Sequence, residues 1–202
     1  MAAIPEPEPP RAKRAPGKRK PQRLPRSLTP DERAALLAQP SYRYPTGIRD
    51  RALMATMLHA GLRCAEALSL APRDIDWKAY RLKVLGKGSK ERVVPVDPLL
   101  EQLLKEWRAR RPSGAMFFNT LAGGPLDARN IREMVKRRGL KAGINDLHPH
   151  ILRHTCATAW IAERKLPLHE VQLLLGHARI TTTQRYLHAS VPDLVAKFRA
   201  FE

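Results

Sequence analysis

One short stretch of this chain changes its hydrophobic period, and that change constrains the fold more than any other feature. Arg81-Leu-Lys-Val-Leu85 and Arg92-Val-Val-Pro-Val96 read as strands, and they bracket Gly86-Lys-Gly-Ser-Lys-Glu91, a hairpin tip that carries Lys87 between two glycines. The sequence on either side is punctuated as helix. Thr29-Pro30-Asp31-Glu32 supplies an N-cap, a proline at the first helical position and acids in the first turn, which predicts a helix running to Gln39. Thr46 to His59, closed by Gly61, places Ile48, Leu53, Met54, Met57 and Leu58 on an apolar stripe. Further helices are predicted at about 63–70, 98–110, 127–141, 149–164, 167–175, 182–188 and 192–200, with a loop at Gly123-Gly124-Pro125. The fold class is therefore α+β, helix-rich, with a small antiparallel β-sheet.

Residues 1–26 stand apart as a disordered, basic, Pro-rich tail, with seven prolines and eight basic residues against Glu6 and Glu8. Such a segment cannot pack a core. It reads either as a solvated linker or as a flexible arm for phosphates. It accounts for +6 of the formal charge of +18, so the single domain predicted over 27–202 keeps +12 and is basic in its own right. A polyanionic partner is implied. The longest nearly apolar stretch, Ala52 to Leu62, is interrupted by His59 and falls short of the roughly 18 residues that suggest a membrane span. The opening Met1-Ala-Ala-Ile4 runs into Pro5-Glu-Pro-Glu-Pro9 and has no secretory-signal pattern. Cys64 and Cys156 alone build neither a disulfide framework nor a Cys-rich zinc site, which points to a reducing, cytoplasmic setting.

The densest constellation is His148-Pro-His-Ile-Leu-Arg-His154. Projected at about 100° per residue, His150, Arg153, His154 and Ala157 share one helix face, with Leu152, Cys156, Ala159 and Trp160 opposite. The polar face is expected to look into a cleft or solvent. His150 and His154 have the spacing of a metal pair, but Arg153 between them is a fixed cation and no carboxylate lies nearby in sequence, so no metal is assigned. Gly176 stands at a left-handed cap position and sends His177 out of the preceding helix in a fixed direction; Tyr186 follows on a short capped helix. Upstream, Glu66 is three residues after Arg63 and is placed to hold its guanidinium. Each of these has an ordinary structural reading by itself. Together they meet the needs of one reaction, attack of tyrosine on a DNA phosphodiester. Arginine forks and histidines relieve charge on the non-bridging oxygens, a lysine protonates the leaving sugar oxygen, and a neighbour or the phosphate itself takes the tyrosine proton.

Gly61-Leu-Arg63-Cys-Ala-Glu66, Gly86-Lys87-Gly-Ser-Lys-Glu-Arg92, His150-Ile-Leu-Arg153-His154, Leu175-Gly-His177 and Tyr186 resemble, in order, the five catalytic motifs of the tyrosine recombinase/phage integrase family. The resemblance is to its Xer-like members. It implies the tyrosine recombinase catalytic-domain fold over 27–202 and site-specific cleavage and rejoining of double-stranded DNA. Tyr186 is then the nucleophile that forms a 3′-phosphotyrosyl link and releases a 5′-hydroxyl. Arg63 and Arg153 clamp the phosphate, Lys87 protonates the leaving oxygen, His150 assists proton transfer and His177 hydrogen-bonds the phosphate, with Glu66 and His154 in support. No cofactor, metal or ATP is implied. The partners implied are DNA and further copies of the chain, a dimer per site and a tetramer in synapsis, with accessory DNA-bending proteins and no membrane. Family members generally carry a helical core-binding domain before the catalytic one; here a basic tail precedes residue 27, as expected of a short form or of an isolated catalytic domain. The apolar stripe of Val191, Leu194, Val195, Phe198 and Phe201 is expected to dock on a neighbouring protomer, with packing against its own domain as the alternative. The alternatives are relaxation of DNA in the manner of a type IB topoisomerase, and a DNA-binding regulator without catalysis.

Overall fold

A computed structural model of the chain describes residues 26–86, 91–176, 195–196 and 198–200. Seven α-helices and a three-stranded antiparallel sheet are found among them. Helix α1 (Pro30–Ala38) begins as its sequence dictates: the Thr29 hydroxyl accepts from the Glu32 N–H, and the Glu32 carboxylate accepts from the Thr29 N–H. Arg26, at the end of the predicted tail, donates to that same Glu32. Helix α2 (Pro45–His59) is the centre of the domain. It packs against α1, against α3 (Cys64–Leu68), against α4 (Pro98–Arg108) and against α6 (Pro149–Ala162). The predicted stripe of Ile48, Leu53, Met54, Met57 and Leu58 is buried throughout. So are Asp50, Arg51 and Thr56, because neighbours on several sides leave α2 little solvent face. Each large apolar side chain buried here contributes about 1.5–3 kcal/mol relative to exposure.

The sheet comprises β1 (Ile75–Asp76), β2 (Arg81–Leu85) and β3 (Glu91–Pro95) in that spatial order. The hairpin is as expected, with Leu82 opposite Val94, Val84 opposite Arg92 and Leu85 opposite Glu91. Strand β1 was not expected, since two residues are too few to display a period. Inward positions Leu82, Val84 and Val94 join the core, and Arg92 occupies the remaining inward position opposite Val84.

Helix α5 (Ala128–Lys141) buries Ile131, Met134 and Val135 and exposes Arg129, Arg132, Lys136, Arg137 and Lys141. It packs against α3. Helix α7 (Leu168–Leu175) lies against α6 and β3 and ends at Gly176 with φ 67°, the left-handed cap its sequence predicts. The helix predicted at 182–188 lies outside the described residues. Of the C-terminal stripe, Val195 and Phe198 are described; Val195 packs partly buried against the core and Phe198 is buried in its own domain. Its ring meets Trp160 edge-on at 5.5 Å, and its carbonyl accepts from Arg164. Both cysteines are free thiols.

Candidate active site

The chain reverses between α2 and α3 at Gly61, which has φ +62°. A Cβ there would stand 2.9 Å from Leu175 Cδ2 and 3.2 Å from Cys156 Sγ, so glycine is required both for its backbone and for the close approach of α6 and α7. Two residues later Arg63 forms the N-cap of α3, and Glu66 turns back on it. The Glu66 carboxylate accepts from the Arg63 N–H at 2.8 Å and from Arg63 Nη1 at 2.7 Å, the pairing that three-residue spacing predicts.

Glu66 also gathers two guanidiniums from distant parts of the chain. Arg92 meets it end-on and bidentate, with Nη1 donating to Oε1 at 3.0 Å and Nη2 to Oε2 at 2.7 Å. Arg153 Nη1 lies 3.6 Å from Oε2. Arg153 spends its hydrogen bonds on neutral carbonyls, Gly61 O at 2.5 Å and Leu175 O at 2.6 Å. Three arginines thus surround one carboxylate, and their exposure is graded: Arg63 keeps 39% of its side chain open to solvent, against 9% for Arg153 and 6% for Arg92.

The electrostatics follow from that crowding. Burial opposes ionisation of Glu66, but hydrogen bonds from Arg92 and from the Arg63 backbone and side chain, with the attraction of Arg92, outweigh it. They bring the carboxyl down to about 2. Arg153 is lowered to about 10, by burial first and then by the neighbouring charge of Arg63, and it remains a cation at neutral pH. The Cys64 thiol is pushed up by burial, with Arg132 of α5 pulling the other way, so the basic face of α5 borders this corner.

Arg153 belongs to the helix face expected to look into a cleft or solvent, and its own side chain is buried. On α6 it stands about 60° from both His150 and Cys156. Packing of α7 and the Gly61 turn covers its side and leaves it 8% exposed. His150 is exposed in the first turn of α6, its ring 6.2 Å from that of the N-cap His148, and His154 is half-buried one turn further on. The structure therefore brings Arg63, Glu66 and Arg153 together, with His150 and His154 on the helix that carries Arg153. Lys87, His177 and Tyr186 lie outside the described residues. Arg92 is a member of the cluster that sequence reasoning quoted only as part of a motif. Its signal was available: a charged residue at an inward position of a strand whose neighbour two residues on, Val94, faces the core.

The model of the phage integrase family matches residues 26–192. Tyrosine recombinase XerC of Xanthomonas axonopodis pv. citri is 40% identical over 185 residues, covering 89% of this chain and 59% of that protein. Among solved structures, XerA recombinase superposes with a TM-score of 0.69 at 26% identity over 90% of this chain and 68% of its own. The XerH site-specific recombinase, in a post-cleavage complex with palindromic difH substrate, gives a TM-score of 0.67 at 30% identity, over 82% of this chain and 50% of its own. The chain thus spans about three-fifths of the length of its XerC relative. Because the family match runs from the first described residue through all five motifs, and the arginines those motifs contribute converge on one carboxylate, the chain belongs to the phage integrase family.

Proposed function

We propose that this chain is a site-specific DNA recombinase, cutting and rejoining double-stranded DNA through a covalent link to Tyr186. The observation that carries this reading is the Glu66 cluster. It presents Arg63 partly to solvent and holds Arg153 behind it on the Gly61 and Leu175 carbonyls, two cations beside one another with their charge not fully consumed by protein. A phosphodiester is the ligand such a pair suits, because the partly exposed Arg63 fork matches its non-bridging oxygens and the Arg153 charge stands behind it.

In the proposed reaction the Tyr186 oxygen attacks phosphorus and forms the new P–O bond. The bond from phosphorus to the 5′ oxygen breaks, and that oxygen takes a proton from Lys87. The phenolic proton, on a group whose ordinary pKa is about 10, passes towards His150 or the phosphate. Arg63, Arg153 and His177 hold the extra charge that develops on the phosphoryl oxygens. Bond energy is kept in the protein–DNA link, so neither ATP nor a divalent metal is required. The exposed basic residues of α5 supply phosphate contacts beside the cluster. Two copies per site and four in synapsis, with accessory DNA-bending proteins, complete the proposal.

Covalent trapping on nicked DNA bearing candidate sites, in EDTA, tests it. The wild-type chain is expected to form an adduct that Tyr186→Phe abolishes. Lys87→Ala is expected to be slow on an oxygen leaving group and restored when that oxygen is replaced by sulfur, which leaves without protonation. An adduct that persists in Tyr186→Phe would refute the nucleophile, and DNA binding without any adduct would favour a regulator.

A further inference from the structure

We propose that Arg92 is a positioning residue that neutralises Glu66, so that the charges of Arg63 and Arg153 remain available to a bound phosphodiester. The inference rests on the function proposed above.

Three observations carry it. Arg92 sits at an inward strand position opposite Val84, where the alternation of β3 calls for an apolar side chain. A buried ion pair is a poor source of stability compared with well-packed hydrophobic residues, so its presence here calls for another reason. Second, its donors are turned on the protein itself. Both terminal nitrogens face Glu66, and Nε donates to Leu174 O at 2.8 Å, so its forked face is not turned to a ligand. Third, the charge balance of the cluster depends on it. With Arg92 paired end-on to Glu66, three arginines against one carboxylate leave a net +2. Without Arg92 the Glu66 charge would fall wholly on Arg63 and Arg153, and half of what they offer a phosphate would be cancelled.

The same side chain fixes the end of α7. Leu174 O and Leu175 O are among the last carbonyls of that helix and lack partners within it. Arg92 takes the first and Arg153 the second. Arg92 Cδ lies 3.1 Å from where a Cβ on Gly176 would be. One residue therefore ties β3, α3 and the exit of α7 to a single carboxylate.

The test is the single-turnover rate constant of adduct formation on a nicked phosphodiester substrate, scaled to the active fraction given by the reaction end point. Arg92→Met is expected to slow this step about 10²-fold, the size of effect seen when one preorganised electrostatic group is lost. Glu66→Gln/Arg92→Met removes both charges and restores the net +2, and it is expected to recover at least about tenfold of that loss, the signature of coupled residues. Arg92→Lys keeps the charge without the fork and is expected within about tenfold of wild type. Equal slowness of all three variants would overturn the proposal, because it would mean that the shape of the fork matters and its charge does not. A wild-type rate in Arg92→Met would also overturn it. Should Arg92→Met fail to fold, the two charge-balanced variants carry the test, and loss of the rate in both refutes the proposal. Absence of an adduct from wild type itself would refute the proposed function and this inference with it.

Discussion

Two buried carboxylates organise this domain, and they do opposite things with the same chemistry. Asp97 caps α4 by accepting from the Leu100 N–H at 2.9 Å, and it holds His59 of α2 at 2.9 Å and Arg164 beyond α6 at 2.7 Å. Arg164 in turn lies over the Phe198 ring and donates to its carbonyl. Both side-chain partners of Asp97 are turned inward on architecture. Glu66 instead collects three guanidiniums and leaves one of them, Arg63, partly in solvent. A balanced site joins helices; an over-filled one stores positive charge where a ligand can reach it. The sequence singles out Glu66 by its motif and its spacing from Arg63, and leaves Asp97 unmarked because its partners His59 and Arg164 are 38 and 67 residues away.

The sharpest way to break the comparison is to remove one member of each cluster in turn. Asp97→Ala strips the shared acceptor from His59 and Arg164, and it is expected to lower unfolding free energy by about 3–5 kcal/mol, the effect of breaking a buried pair. The adduct rate per active molecule should not change. Arg63→Ala should do the reverse, slowing adduct formation about 10²–10³-fold with little loss of stability, because the residue is partly exposed. Urea unfolding and single-turnover trapping on the same preparations check both. If Asp97→Ala slows the chemistry as much as Arg63→Ala, the division between architecture and site is wrong.

Acid should sharpen the same contrast. A carboxyl whose folded pKa is depressed adds stability that is fully present above its unfolded value and lost as pH falls through the folded one. For Glu66 the ordinary value is 4.5 and the folded value about 2, so the loss falls between about pH 4.5 and 2. At 1.36 kcal/mol per pH unit it amounts to about 3 kcal/mol. Asp97 is also lowered: burial opposes its ionisation, but the hydrogen bond and charge of His59, the Leu100 N–H and Arg164 outweigh it. Glu66→Gln is expected to flatten much of the acid limb of the stability curve, measured by chemical denaturation from pH 7 to pH 2. An unchanged limb would mean that Glu66 is not held by its arginines as described.

How much of this was legible beforehand follows from the range of each signal. Thr29 and Glu32, Arg63 with Glu66, and the cap at Gly176 were readable because every partner lies within a few residues, and the hairpin because a change of period brackets its glycine-flanked tip. The direction of Arg153 was not, because periodicity assigns a helix face and not what covers it; α7 and the Gly61 turn decide that. Arg92 escaped for the same reason, since its partners Glu66 and Leu174 are 26 and 82 residues away. The C-terminal stripe was read as apolar, correctly for Phe198. Its target on Trp160 of the same domain could come only from the packed structure.

Two glycines give the finest discrimination between a structural corner and the site. Gly143 follows α5 at φ +75°, and a Cβ there would meet nothing within 4 Å. Gly176 follows α7 at φ +67°, where a Cβ would stand 3.1 Å from Arg92 Cδ and 3.4 Å from its Nε and Nη1. Alanine at either position is strained in the left-handed region by about 1–2 kcal/mol. Gly143→Ala should show that loss alone, with the adduct rate unchanged. Gly176→Ala must also displace the Arg92 guanidinium, which is bonded to Glu66, so it should lose comparable stability and slow the adduct step as well. Since both substitutions add one methyl group at similar φ, any difference in rate between them measures the contact with Arg92 and not the backbone.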